Sequence, residues 1–418
     1  MRFSNIKING WRQFKEIDID FHPRITIITG ANGAGKSTLL RILSQHYGWS
    51  VNLLATPTIS TATGVVKYTT DLLRRISKGE STYSGGIGSL LYSNGICSKI
   101  SVPWESGVQY NVSVETQQPV IGLHINSHRH LQNYQPITSI PTSSIGAAEA
   151  YQNYFSEVIS KYQGGFTQSS PTHRMKESII SMAMFGPGNA NVQGNPILAK
   201  LFSDFKKILL KILPENIGFE DISVRIPDVV LVTKSGEFLI DAASGGLMAI
   251  IDLAWQIFLF SQDKAEFVVT MDEPENHLHP SMQRSLLSRL ADAFPGAQFI
   301  IATHSPFVVS SVSDSLVYAL KYVEAEDEMP AEYFGGSVSS MLVDLDSKAA
   351  TANEILRDVL GVPVTLPEWA EDELKRITRG FVGKSITEDS LNQLREELAA
   401  GGLSEYFPDA LKIIASPI

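Results

Sequence analysis

Gly30-Ala31-Asn32-Gly33-Ala34-Gly35-Lys36-Ser37 brings glycines, an ammonium and a hydroxyl into one short segment of the form G-x-x-x-x-G-K-S. Glycines let the backbone turn its N–H groups inward, where they can cradle the β- and γ-phosphates of a nucleoside triphosphate. The Lys36 ammonium reaches the same oxygens, and the Ser37 hydroxyl stands where it can ligate Mg²⁺. The pattern alone occurs by chance, but here it follows the apolar run Ile25-Thr26-Ile27-Ile28-Thr29 and precedes the helical pattern Thr38-Leu39-Leu40-Arg41-Ile42-Leu43. Strand, glycine loop and helix N-terminus are the setting an anion site of this kind requires. The expected phosphate contacts are Asn32, Gly33, Gly35, Lys36, Ser37 and Thr38.

A second group lies far along the chain. The apolar strand Phe267-Val268-Val269-Thr270-Met271 ends in Asp272-Glu273-Pro274. Beside a phosphate loop, Asp272 can hold Mg²⁺ and Glu273 can act as general base on the water that attacks the γ-phosphate. A solvated exit from a sheet is the plainer reading of Asp-Glu-Pro, and the phosphate loop in the same chain argues against it. The next apolar run, Gln298–Ala302, ends in Thr303-His304-Ser305-Pro306. A histidine at a strand end is more often structural, yet His304 would leave the sheet next to the carboxylates, as a sensor of the γ-phosphate. Ser244-Gly245-Gly246 opens an apolar helix and offers N–H groups, a hydroxyl and a positive dipole to an anion, although by itself it reads as an N-cap turn. His277 and His279 suit an interface loop better than a zinc site, given a single cysteine, Cys97.

These residues need a sheet to carry them. Residues 1–30 read as strands, with period-two alternation over Phe14–Phe21 and a doubly buried strand at Ile25–Thr29. Val51–Pro119 reads as peripheral sheet and loops, and Val120–Ile125 as another core strand. Residues 147–213 are helical in pattern. Tyr151, Phe155, Val158 and Ile159 share one face, as do Leu198, Leu201, Phe202, Phe205, Ile208, Leu209 and Ile212, with a loop near Gly186-Pro187-Gly188-Asn189. No heptad pattern is sustained, which argues against a long coiled-coil arm. Strands return from Phe219, and the run Met282, Leu286, Leu290, Phe294 between two apolar strands predicts a parallel strand–helix–strand crossover. The expected fold class is α/β, a mixed parallel sheet with an antiparallel lobe. The expected divisions are an N-terminal lobe at 1–146, a helical insert at 147–215, a second lobe at 216–345 and a small helical region at 346–418.

Composition narrows the setting. The chain has 418 residues, 43% of them apolar, and a net charge of −10. That charge disfavours a surface that is everywhere attractive to nucleic acid, while leaving room for a local basic groove. One cysteine forms no intrachain disulfide. No apolar signal core stands at Met1–Asn5, and no apolar run approaches the ~20 residues that span a bilayer. The expectation is a cytoplasmic protein without a membrane partner.

Taken in order, the motifs resemble those of the ABC-type P-loop ATPases of the SMC class, and more closely their compact OLD-like bacterial relatives. Gly30–Ser37 matches Walker A, Ala243–Leu247 the signature, Met271–Pro274 Walker B, Glu275–Pro280 the D-loop and Thr303–Pro306 the switch. Asn9–Phe14 resembles the opening strand, whose residues, Arg12 among them, border the nucleotide base in that family. The match is good over 1–45 and 235–312 and loose elsewhere. Leu247 stands where the signature usually has glutamine, and Arg129 or Gln132 are the candidates for the Q-loop residue. The resemblance implies ATP and Mg²⁺ as ligands, with Lys36, Glu273 and His304 catalytic and Ser37 and Asp272 on the metal. It also implies homo-oligomers built from head-to-tail dimers, in which Ser244 and Gly246 of one protomer close on the phosphates held by another. Within the group, the chain is similar to the ATPase subunits of bacterial anti-phage systems such as PARIS and Septu, with PARIS preferred for the Thr351–Ile377 segment. The implied partners are a separately encoded effector, a Toprim-like or HNH nuclease, and a phage-derived trigger. The alternative is a DNA-binding repair or segregation ATPase.

Overall fold

The computed structural model describes residues 1–59, 64–70, 86–103, 107–128, 133–140, 143–323, 337–361, 367–381 and 387–415. Eleven strands form one sheet and are numbered here in chain order: β1 (Phe3–Trp11), β2 (Phe14–Asp20), β3 (Ile25–Gly30), β4 (Gly86–Tyr92), β5 (Cys97–Ser101), β6 (Ser113–Val114), β7 (Gly122–Ile125), β8 (Phe267–Asp272), β9 (Ala297–Thr303), β10 (Leu316–Val323) and β11 (Ser337–Leu342). Their spatial order is β6-β5-β4-β1-β2-β11-β10-β3-β9-β8-β7. The run β10-β3-β9-β8-β7 is parallel throughout. The strands β1, β2, β4, β5 and β6 pair antiparallel and form the antiparallel lobe of the sheet.

Sequence character accounts for this division. Every residue of β3 and β9 is buried, as continuous apolar strands covered on both faces must be. In β2, Phe14, Ile17 and Ile19 are buried and the residues between them are exposed, the mark of a sheet with one wet face. Alternation along β3 divides the interior: Ile25 and Ile27 join one core, and Ile28 joins the other. The second core holds β1, β2 and the inner face of α1 (Lys36–Ser44), through Leu39, Leu40, Ile42 and Leu43.

The opposite face is covered by helices. α2 (Ala147–Tyr162), α3 (Pro171–Phe185) and α4 (Pro196–Ile212) form the helical insert, followed by α5 (Gly245–Ser261) and α6 (Pro280–Ala293). Asn195 caps α4 through its Oδ1, with Pro196 at the first helical position. Leu198, Leu201, Phe205, Leu209 and Ile212 of α4 are buried as the periodicity predicts. On α2 the phase differs from the reading: Ala150, Tyr154 and Glu157 are buried, and Tyr151 and Val158 lie only partly covered beside them. The cause is Arg174, whose Nε donates to Glu157 Oε1 at 3.1 Å and keeps a carboxylate on the inner face. α5 is buried continuously from Leu247 to Leu259, so it is the central helix on this side. Phe205 meets its Trp255 edge-on at 4.8 Å between ring centroids.

At the C-terminal end, Ile355, Val359 and Leu360 belong to the large core. The helices Glu368–Arg379, Glu388–Ala400 and Phe407–Ala415 instead enclose a separate cluster that includes Leu374, Ile377, Leu394 and Leu398.

Candidate nucleotide site

The glycine loop joins β3 to α1 at the centre of the parallel run, where β3 has β9 on one side and β10 on the other. Gly30, Gly33 and Gly35 have φ of 142°, 80° and 101°, a region side chains rarely adopt. Gly35 is also held closely: a Cβ there would stand 2.4 Å from the Phe14 ring and 2.7 Å from Gln13 Nε2. The turn between β1 and β2 therefore packs directly on the phosphate loop, and Gln13 Nε2 donates to the Gly33 carbonyl at 3.3 Å. Ala31, Asn32 and Gly33 are exposed, and Ser37 and Thr38 open α1 half-buried, so backbone N–H groups and the helix dipole face the same space.

Lys36 is buried, and its Nζ donates to the carbonyls of Gly30 at 2.7 Å and Ala31 at 3.1 Å. Burial lowers its pKa, and the nearby carboxylates of Glu273, Asp272 and Glu275 oppose that shift. The ammonium is thus fixed among acids from a different part of the sequence, brought to it by β8 and β9.

Asp272 ends β8, and burial raises its pKa. A hydrogen bond from the Ser37 side chain counters this shift, while the charge of Glu273 adds to it. Its Oδ1 is buried with no hydrogen-bond partner. An unsatisfied carboxylate oxygen beside a serine hydroxyl is a hard-oxygen donor set, and it fits the Mg²⁺ that the motif implies.

Glu273 adopts a left-handed backbone, φ 47°, with its N–H donating to the Ala302 carbonyl at 2.8 Å. This turn directs the carboxylate out of the sheet. His304 Nδ1 lies 3.2 Å from Glu273 Oε1, and Asn276 Nδ2 donates to Oε2 at 3.2 Å. His304, expected beside the strand-end carboxylates, is in direct contact with one of them.

Sequence reasoning gave Glu275 no role of its own. It is buried, accepts from the Thr303 hydroxyl, and accepts from the His304 backbone N–H at 3.3 Å. Burial raises its pKa, and the Thr303 hydroxyl opposes that shift. Its available signal was its place three residues after Asp272, where the chain must double back to reach β9. Ser305 Oγ donates to Gln283 Oε1 at 2.6 Å and ties the switch to α6.

Other expected residues sit elsewhere. Arg12 is turned toward the lobe: Nη2 donates to the Leu54 carbonyl at 2.7 Å and Nε to Tyr110 Oη at 3.0 Å. Gln13, not Arg12, reaches the phosphate loop. Ser244 and Gly245 are exposed at the start of α5, where Ser244 Oγ accepts from the Leu247 N–H at 3.4 Å. A Cβ on Gly246 would lie 2.8 Å from the His277 carbonyl, so the signature turn rests on the loop that follows Glu273. His279 caps α6 by accepting from the Ser281 N–H, and no cluster of histidines and acids fit for a metal occurs among the described residues. Arg129 and Gln132 lie outside the described residues.

Two family models match the segments that carry these residues. A family model described as "AAA domain" matches residues 5–47, and one described as "AAA domain, putative AbiEii toxin, Type IV TA system" matches residues 210–310. The two matches hold the glycine loop, and the signature with both strand ends. The chain resembles ABC-type ATPases, and among them the ATPases of bacterial anti-phage defence systems. It is 23% identical over 400 residues to the Septu protein PtuA of Bacillus thuringiensis, a match that covers 86% of this chain and 84% of that one. It is also 25% identical over 178 residues to the Retron Ec83 probable ATPase of Escherichia coli, covering 41% of this chain and 28% of that one. Of the two systems named from sequence, Septu is the one that appears in these names. Among solved structures, the SMC head domain from Thermotoga maritima aligns with a TM-score of 0.42 at 14% identity, over 82% of this chain and 100% of that one.

Proposed function

We propose that this chain binds and hydrolyses ATP at a site completed by a second copy, and that the resulting assembly controls a separate effector in anti-phage defence. The observation that carries the reading is the convergence of Lys36, Asp272, Glu273 and His304 at the ends of three adjacent parallel strands. Glu273 is the general base, oriented by contacts on both carboxylate oxygens. His304 stands on the carboxylate and reports on the γ-phosphate. Lys36 exchanges its loop carbonyls for phosphate oxygens when ATP enters. Ser37 and Asp272 would hold Mg²⁺, which would supply charge neutralisation at the phosphates. Asn32, Gly33, Gly35 and Thr38 offer the backbone donors, and Ser244 and Gly246 of a partner close the site.

The defence role is supported by the Septu and retron relatives, and it makes a separately encoded nuclease the partner to seek. ATP binding and hydrolysis, measured separately, test the catalytic part. Lys36→Ala is expected to lose nucleotide binding. Glu273→Gln is expected to bind ATP as tightly as the parent and to turn it over at least 100-fold more slowly, a span typical of a lost general base. Unchanged turnover in Glu273→Gln would overturn Glu273 as base.

A further inference from the structure

The side chain of Asn276 faces two acceptors at once. Its Nδ2 lies 3.2 Å from Glu273 Oε2 and 3.2 Å from the Ser127 carbonyl. A carboxylate and a carbonyl only accept, so the amide nitrogen, with its two hydrogens, must be the atom between them. The residue is half-buried, and its side chain is not needed to shape its own loop. The turn is held by backbone bonds, Asn276 N–H to the Glu273 carbonyl at 3.2 Å and Leu278 N–H to the Glu275 carbonyl at 2.9 Å.

Ser127 follows the end of β7, the strand beside β8 at the edge of the parallel run. The amide thus spans two neighbouring strand ends, with the candidate base on one of them. Glu273 already stands on a left-handed backbone, and its side chain has free torsions beyond Cβ. His304 fixes one oxygen, and a second contact on the other is what turns a carboxylate from a swinging group into a directed one. Each oxygen keeps a further lone pair for water.

We infer that Asn276 is a positioning residue for hydrolysis: it holds the Glu273 carboxylate at its working angle and makes that angle depend on the strand end at Ser127. The inference rests on the reading of Glu273 as general base. A hydrogen bond to a charged group, once lost, corresponds to about 10- to 100-fold in rate when it orders the reacting geometry.

The test compares kcat, KM and ATP affinity in the full chain for Asn276→Ala, the near-isosteric Asn276→Asp, Glu273→Gln and the double variant Glu273→Gln/Asn276→Ala. Asn276→Ala is expected to lose about 10- to 100-fold in kcat with ATP affinity unchanged. Asn276→Asp, which presents an acceptor in place of the donor, is expected to lose at least as much. The double variant is expected to be no slower than Glu273→Gln alone, because an amide that acts only through the carboxylate has nothing left to direct. Wild-type kcat in both Asn276 variants would overturn the inference. So would a double variant slowed by the same factor as the parent, which would mean that Asn276 acts elsewhere. Normal turnover in Glu273→Gln would overturn the base reading itself, a distinct result.

Discussion

Glu275 is a buried acid that holds the end of β9 beside the proposed base Glu273. It takes the Thr303 hydroxyl and the His304 N–H, so the switch histidine is set by the same short loop that sets the base. Glu275→Ala is expected to retain ATP binding and to lower kcat about 10-fold, by freeing the end of β9; equal kcat in steady-state assays would contradict this. Two histidines behind the site make a pH prediction. Burial lowers His124 to about 3 and His46 to about 4, and both stay neutral in the fold. His124 Nδ1 pairs with the Thr270 hydroxyl, which also meets Tyr47 Oη. Unfolded, each would take up a proton near 6.5, so their contribution to stability is present above that pH and is lost as pH falls from 6.5 toward 4. Urea unfolding should show stability falling between pH 7 and pH 5, by about 2 kcal/mol from His124 alone, and His124→Gln should flatten that slope. That Lys36, Asp272, Glu273 and His304 belong near one another was legible, because glycine spacing and strand-end acids stand out in sequence. Glu275 and Asn276 were not, since their partners, Thr303 on β9 and Ser127 just past β7, lie far from them in sequence. The contacts of Arg12 were hidden for the same reason, since Tyr110 and Leu54 come from distant parts of the chain.

At the scale of elements, continuous apolar runs identified β3, β8, β9 and the buried helix α5, and helical periodicity identified α4 and α6. The phase of α2 was hidden, because a glutamate can occupy an inner face when an arginine meets it there. The link between the insert and the signature was equally hidden. Lys176 on α3 is fully buried, and its Nζ bonds Asp241 Oδ2 at 2.7 Å and lies 3.5 Å from Asp228 Oδ1. Asp241 stands three residues before Ser244, so the insert holds the approach to α5 through a charge pair. Removing one partner leaves a buried carboxylate without its cation, at a cost of about 3–5 kcal/mol. Lys176→Met is therefore expected to lower the urea midpoint strongly. Lys176→Met/Asp241→Leu should recover most of that loss, although Asp228 will keep part of it. A single variant as stable as the parent would show that the pair does not hold the two elements together.

Over the whole molecule, the phosphate donors and the signature turn belong to different surfaces of use. Lys36 is buried and satisfied on its own loop, whereas Ser244 and Gly245 are exposed at the start of α5 with an uncovered helix N-terminus. A positive helix end in solvent gains little in one copy, but it gains charge-assisted bonds when a phosphate approaches from another. ATP would then join the two copies, and hydrolysis would release them. This arrangement predicts that binding and assembly are separable. Ser244→Arg places a long side chain at the exposed turn and removes one weak cap, so the monomer should lose no more than about 1 kcal/mol. ATP should still bind to the separate copies, since every proposed phosphate contact of the binding copy is intact, and should lose only the tightening that dimer closure supplies. In a Glu273→Gln background, which preserves bound ATP, the parent signature should give an ATP-dependent dimer by light scattering, and Ser244→Arg should remain at monomer mass. Turnover in Ser244→Arg with Glu273 restored should fall with the dimer. A dimer of full yield, or parental turnover, in that variant would mean that one copy holds the entire site.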